Sequence, residues 1–252
     1  MAQEAKAEEV PAQKGCALVI GYGEGMGRSL AMRFASAGYN IAVVGRTKEK
    51  LASGVEEIGK RFPKITAMSF VADTSVEEQC KKAFSEMAAA KKDLGRVEVL
   101  LFNASIFVWK PFLETSVNDF ERSFAIGAKG LFIWSQLVIP DMLDNESPTS
   151  ILVSGATAAL KGSAKCGCFA SNKFAMRALT QSLAREFGPK GIHCAMIQLD
   201  GMILGNKEEI DGNKNGTKLN PNDIADAYYF VHQQSPSAWV QEMDLRPNME
   251  KF

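Results

Sequence analysis

Seven consecutive residues, Gly21-Tyr22-Gly23-Glu24-Gly25-Met26-Gly27, follow directly on the apolar run Cys16 to Gly21. A tight turn in that place delivers backbone N–H groups to a pyrophosphate at the N-terminus of the next helix, and a side chain there blocks the approach. The plainer alternative is a strand-turn-helix connection that keeps glycine for its geometry and binds nothing. Glu24 is an awkward neighbour for phosphates. The second apolar run ends in Gly45-Arg46, where an acidic residue would hydrogen-bond the ribose diol of NAD(H). No carboxylate stands there to repel a 2′-phosphate, and the planar guanidinium of Arg46 can grip one bidentately, so NADP(H) is favoured over NAD(H). Otherwise Arg46 is a solvated charge, with Thr47 capping the next helix.

These residues need a scaffold, and the chain alternates short apolar runs with helix-period segments, as βαβ units on a parallel sheet do. The expected strands are Cys16 to Gly21, Asn40 to Gly45, Ile65 to Val71, Val97 to Asn103, Ser150 to Gly155 and Ile192 to Leu199. The expected helices are Ser29 to Ala37, closed by Gly38, then Thr47 to Arg61, Ser75 to Lys92, Val117 to Ile139, Cys168 to Phe187 and Asn222 to Gln233. Leu204 to Asn220 is rich in Gly, Asn and Lys and lacks a hydrophobic period, which predicts a mobile loop where a substrate lid would sit. The fold class is therefore α/β: a Rossmann-type, doubly wound parallel sheet flanked by helices. At 252 residues, one domain is expected over 15–252 behind a loose polar tail, 1–14.

Several segments resemble the short-chain dehydrogenase/reductase family. Gly21, Gly25 and Gly27 are similar to its T-G-x-x-x-G-x-G turn, with Ile20 in place of Thr. Asp73-Thr74 resembles its adenine-contacting acidic position, and Phe102-Asn103-Ala104-Ser105 its N-N-A-G segment, with the inner Asn-Ala kept. The stretch ILVSGATAALKGSAKCGCFASNKFAMRALTQSLAREFGPKG, from Ile151 to Gly191, looks like the family's catalytic strand, loop and helix. The resemblance covers about residues 15 to 204. It implies that Asn103 steadies the sheet under the cofactor and that Lys173 is the conserved-type lysine. Asp200-Gly201 replaces a Pro-Gly turn, so that Ile203 meets the nicotinamide carboxamide through its backbone N–H.

The same resemblance exposes a departure. A Tyr four residues before the Lys ordinarily serves as general acid, and a Ser 13 residues before that Tyr orients the carbonyl. Here those positions hold Phe169 and Ala156, and the helix Asn that holds a relay water aligns with Gly127. Phenylalanine cannot donate a proton, so ordinary alcohol dehydrogenase chemistry lacks its acid. Thr157 is the best substitute hydroxyl, ahead of Ser154 and Ser171, although hydroxyls at strand ends and helix starts often satisfy the backbone. Cys166 and Cys168 flank the region, where a buried thiol is more commonly a small core residue than a nucleophile. Lys173 is expected to hold the nicotinamide ribose, the alternative being a partly exposed surface lysine. Phe107, Trp109, Phe169 and Met202 would line an apolar substrate pocket, unless they are core.

Composition narrows the remaining classes. Twenty-nine basic residues balance 29 acidic ones, which argues against a nucleic-acid or anionic-membrane surface. The longest apolar stretch, Gly130 to Pro140, falls short of the roughly 20 residues that span a bilayer. The tail suits neither a secretory h-region nor a transit peptide, and five scattered cysteines fit reduced thiols in the cytoplasm. With two histidines, His193 and His232, no metal site is expected. Two functions compete: an NADP(H)-dependent oxidoreductase with a non-standard proton donor, or a catalytically inactive dinucleotide-binding subunit. The family resemblance adds homodimers or homotetramers, paired through Val117 to Ile139 and Cys168 to Phe187.

Overall fold

The computed structural model describes residues 14–144, 147–205 and 216–249. Seven parallel strands form one sheet in the order β3-β2-β1-β4-β5-β6-β7. They are β1 (Cys16–Ile20), β2 (Asn40–Gly45), β3 (Ala67–Val71), β4 (Val97–Phe102), β5 (Thr149–Ser154), β6 (Ile192–Leu199) and β7 (Glu242–Leu245). The order runs outward from β1 in both directions, so the sheet is doubly wound and the crossover between β1 and β4 leaves a crevice at the strands' carboxyl ends. The seventh strand was not expected. Its burial is only intermediate, and Glu242 and Asp244 interrupt the apolar pattern that marks a central strand.

Helices α1 (Met26–Ser36), α2 (Lys48–Arg61), α3 (Glu77–Ala89), α4 (Lys91–Leu94), α5 (Val117–Phe124), α6 (Gly130–Leu143), α7 (Gly167–Phe187) and α8 (Pro221–His232) flank it. β1, β4 and β6 are buried at every position, as strands covered on both faces must be. One cluster on one face of the sheet includes Phe102, Trp134 and Met176, and a second on the other includes Phe34, Ile58 and Tyr228. α1 begins at Met26, three residues earlier than the hydrophobic period predicts, so its first turn sits directly against the glycine-rich turn.

The segment expected as one helix from Val117 to Ile139 instead runs on to Leu143, and a π turn at Ala125–Lys129 joins α5 to α6. At 27 residues, Val117–Leu143 is long and apolar enough by composition to cross a membrane, beyond what Gly130 to Pro140 suggests. Leu131 and Trp134 nevertheless lie fully inside the protein core. Of the expected tail only Lys14 is described. Its N–H donates to the Gly38 carbonyl at 3.1 Å, so the chain is already tied down there.

Candidate cofactor and substrate cleft

The carboxyl end of β1 sets the first part of the site. Gly21 adopts φ +88°, and a Cβ on it would lie 2.7 Å from the backbone of Ala104. Only glycine fits both demands. The N–H groups of Gly21 and Tyr22 both donate to the Val44 carbonyl at 3.0 Å, pinning the turn to β2. A Cβ on Gly27 would meet the Gly21 carbonyl at 2.8 Å, so α1 enters tight against the turn. Gly25 is the N-cap of α1 and offers no side-chain cap, which leaves first-turn N–H groups of Met26 and Gly27 for a ligand. Glu24 turns toward α2, where it pairs with Lys50 at 3.3 Å. The anticipated conflict with phosphates is thus relieved by an ion pair at the surface.

A cavity of about 270 Å³ lies beside this turn, lined by Gly21, Tyr22, Arg46, Asp73, Thr74 and Ala104 among others. Arg46 is exposed at its edge, and no ion pair of its guanidinium is found among the described residues. The Asp73 carboxylate accepts from the Ser75 N–H and hydroxyl at 2.9 and 2.6 Å. Burial acts to raise its pKa, but those two bonds and the fields of Arg46 and Arg122 outweigh it and hold the carboxyl below its ordinary value.

Asn103 and Ser105 line both this cavity and a larger one of about 570 Å³, making one continuous cleft. Asn103 Nδ2 donates to the Gly21 carbonyl at 3.0 Å, and its Oδ1 accepts from Ser154 Oγ at 3.2 Å, which shares a 2.8 Å bond with Tyr228. The amide therefore ties the ends of β1, β4 and β5 together. The larger cavity gathers Phe107, Trp109, Phe169 and Met202, with Ala156, Thr157, Lys173 and Ile203. Phe107 stacks on Trp109 at 5.9 Å and meets Phe169 edge-on at 5.2 Å. Phe107 is 64% exposed and Met202 68%, so these two are wall and not core, whereas Phe169 is half-buried and packs against Ala158, Cys166 and Ala170 as well.

Lys173 is buried, and its Nζ donates to the Ser154 carbonyl at 2.7 Å with the Phe169 ring 5.6 Å away. Burial lowers its pKa to about 8. Thr157 Oγ1 donates to Asp200, whose other oxygen binds Arg246. The hydroxyl proton is therefore directed at a carboxylate. Ser171 is exposed on α7, and Ser154 Oγ is engaged by Asn103 and Tyr228. All five cysteines are free and buried, and burial raises the pKa values of Cys166 and Cys168, which disfavours a thiolate.

Arg246 and Asn172 escaped the sequence reading, as did the role of Asp200, which was read only as part of a turn. Asp200 and Arg246 anchor Thr157, and Asn172 fills the place beside Gly127. Asn172 Oδ1 accepts from the Ala128 N–H at 2.9 Å, and a Cβ on Gly127 would fall 2.2 Å from the Asn172 amide. The position before Lys173 gave no hint of this, because the contact spans two helices. Among the described residues no group of three or more His, Cys, Asp or Glu could hold a metal. Most of the expected lid, residues 206–215, lies outside the described residues. Its base is tied by a bridge between Ile203 and Leu219.

The cleft fits a dinucleotide: an uncapped helix start beside a glycine turn, a basic edge at Arg46, and a buried amine near the second cavity. Residues 15–210 match the family described as short chain dehydrogenase. An L-xylulose reductase from Mesocricetus auratus is 31% identical over 218 residues, covering 77% of this chain and 84% of that protein. A crystal structure of a short-chain dehydrogenase from Rhodopseudomonas palustris superposes with a TM-score of 0.78 at 31% identity, covering 92% of this chain and 98% of that one. An NADPH-bound short chain oxidoreductase from Pseudomonas aeruginosa PAO1, described as containing an atypical catalytic center, gives 0.82 at 18% identity, over 94% and 97% of the two chains.

Proposed function

The chain belongs to the short-chain dehydrogenase family, and from that premise we propose that it binds NADP(H) and serves as an oxidoreductase whose proton donor is not a tyrosine. The observation that carries this reading is the continuous cleft, with the glycine turn and Arg46 at one end and Lys173 among aromatic walls at the other. A bound nicotinamide would supply a hydride. The residues do the rest. First-turn N–H groups of α1 hold the pyrophosphate, Arg46 holds the 2′-phosphate, Asp73 and Thr74 flank the adenine, and Lys173 bonds the nicotinamide ribose. The Pseudomonas oxidoreductase of the same fold is NADPH-bound.

Lys173 is also the group best placed to give a proton. Its pKa near 8 keeps it mostly protonated at neutral pH and within reach of transfer, whereas the Thr157 hydroxyl is committed to Asp200. An inactive dinucleotide-binding subunit is the second reading, favoured by Phe169 and Ala156 standing where hydroxyls would act. We further propose a cytoplasmic dimer or tetramer, paired through α5–α6 and α7, for which the exposed Phe120 and Phe132 supply apolar surface.

Ala156→Ser with Phe169→Tyr tests whether the cleft positions a nicotinamide for chemistry. The pair is expected to raise NADPH oxidation with small test ketones at least tenfold over the wild type, each general acid or orienting group typically contributing about 100-fold or more. A double variant that binds NADPH yet stays silent would overturn the catalytic arrangement.

A further inference from the structure

Lys173 lines the larger cavity, and among the described residues its amine has no carboxylate partner. Among the described residues its one hydrogen bond runs to a backbone carbonyl, that of Ser154. On the cavity side stand the Phe169 ring, Ala156 and the stacked pair Phe107 and Trp109, an apolar wall suited to a flat hydrocarbon group. No hydroxyl intervenes at 169 to occupy the amine. We propose that, when the cleft holds no dinucleotide, Lys173 condenses with small aromatic or conjugated aldehydes to form an imine, giving the protein a covalent carbonyl-binding site.

The step balances without any added oxidant or reductant. Neutral Nζ attacks the carbonyl carbon, the C–N bond forms, and the C=O π pair moves to oxygen, which takes a proton to give a carbinolamine. Loss of that oxygen with the second amine proton, as water, leaves C=N. Burial aids the first event, since an amine with a pKa near 8 is neutral far more often at pH 7 than an ordinary lysine. The apolar walls favour the second by disfavouring the return of water. The imine and the ribose contact assigned under the proposed function use the same nitrogen, so the two ligands exclude each other. In that one respect the inference rests on the proposed function.

Reductive trapping tests it on the intact chain. The protein is incubated with cinnamaldehyde and sodium cyanoborohydride at pH 7, followed by intact mass measurement and peptide mapping. Lys173 is expected to be alkylated at least tenfold faster than any surface lysine, with a rate that rises toward pH 8 and levels off above it. Saturating NADPH should suppress that adduct and leave the surface lysines unaffected. Label spread over surface lysines with Lys173 bare would overturn the inference, as would an unchanged adduct in Lys173→Met, with circular dichroism reporting that the variant is folded. Labelling of Lys173 that NADPH fails to suppress would sustain the imine site and count against the cofactor reading, so the two failures are distinct.

Discussion

Single residues decide what chemistry this cleft can do, and Gly127 is tightly constrained among them. Placing an asparagine there is not a free change, because any Cβ collides with the amide of Asn172 on α7. Gly127→Asn alone is expected to destabilise the protein by about 1–3 kcal/mol in urea unfolding, the usual range for overpacking a filled site. Pairing it with Asn172→Ser should recover most of that loss, a non-additivity typical of residues in contact. Additive effects of the two substitutions would mean that the neighbours do not share the space. That positions 169 and 156, located by spacing from Lys173, carry no hydroxyl was plain from the sequence. The occupancy of the space at Gly127 was not, since only the packing of two helices places Asn172 there.

At the scale of elements, the pin between α8 and the sheet is a buried histidine. His232 shares a 2.6 Å bond with the Tyr39 hydroxyl through Nε2 and a 2.8 Å bond with Ser150 through Nδ1. Burial first, and then the nearby Lys14 and His193, lower its pKa to about 4. The folded state therefore refuses a proton that the unfolded chain accepts below the ordinary value of 6.5. Stability is fully present above that value and is lost as pH falls toward 4, by on the order of 3 kcal/mol for this group. His193, lowered by its own burial, adds a loss of the same sign. Unfolding free energies measured between pH 7 and 4 should fall less steeply for His232→Gln than for the wild type, although the variant starts lower. Equal slopes would remove His232 from the account.

Elements were legible to the degree that their burial was uniform. β1, β2, β4, β5 and β6 lie within a residue of the expected ranges because apolar runs mark doubly covered strands. β3 is shorter than expected, Ala67–Val71, and Ile65 is buried ahead of it. β7 was missed because an edge strand carries charges. The π turn was invisible as well: helix periodicity continues on both sides of Ala125–Lys129 while one residue's slippage re-aims the face.

For the whole molecule, the doubly wound sheet explains why the chemistry gathers where it does. The crevice at the carboxyl ends of β1 and β4 brings the glycine turn, the end of β2 and the end of β5 to one cleft, although they lie far apart in sequence. The ends of the strands were readable, and the residues singled out at those ends do line the two cavities. What the sequence could not convey is how the long-range partners are spent, with the Thr157 proton on Asp200 and Glu24 on Lys50. Those pairings convert an apparent substitute hydroxyl into an anchored group and an apparent obstacle into a surface ion pair. On the proposed reading, the lysine is the reactive side chain of the cleft.

The most direct measurement is a fluorescence titration of the purified protein with NADPH and with NADH, repeated on Arg46→Ala. NADPH is expected to bind at least tenfold tighter than NADH. The variant is expected to lose NADPH affinity 10- to 100-fold, about 1.4–2.8 kcal/mol for a charge-assisted contact, with NADH affinity unchanged. Equal affinities in the wild type, or no binding of either dinucleotide, would contradict the NADP(H) reading.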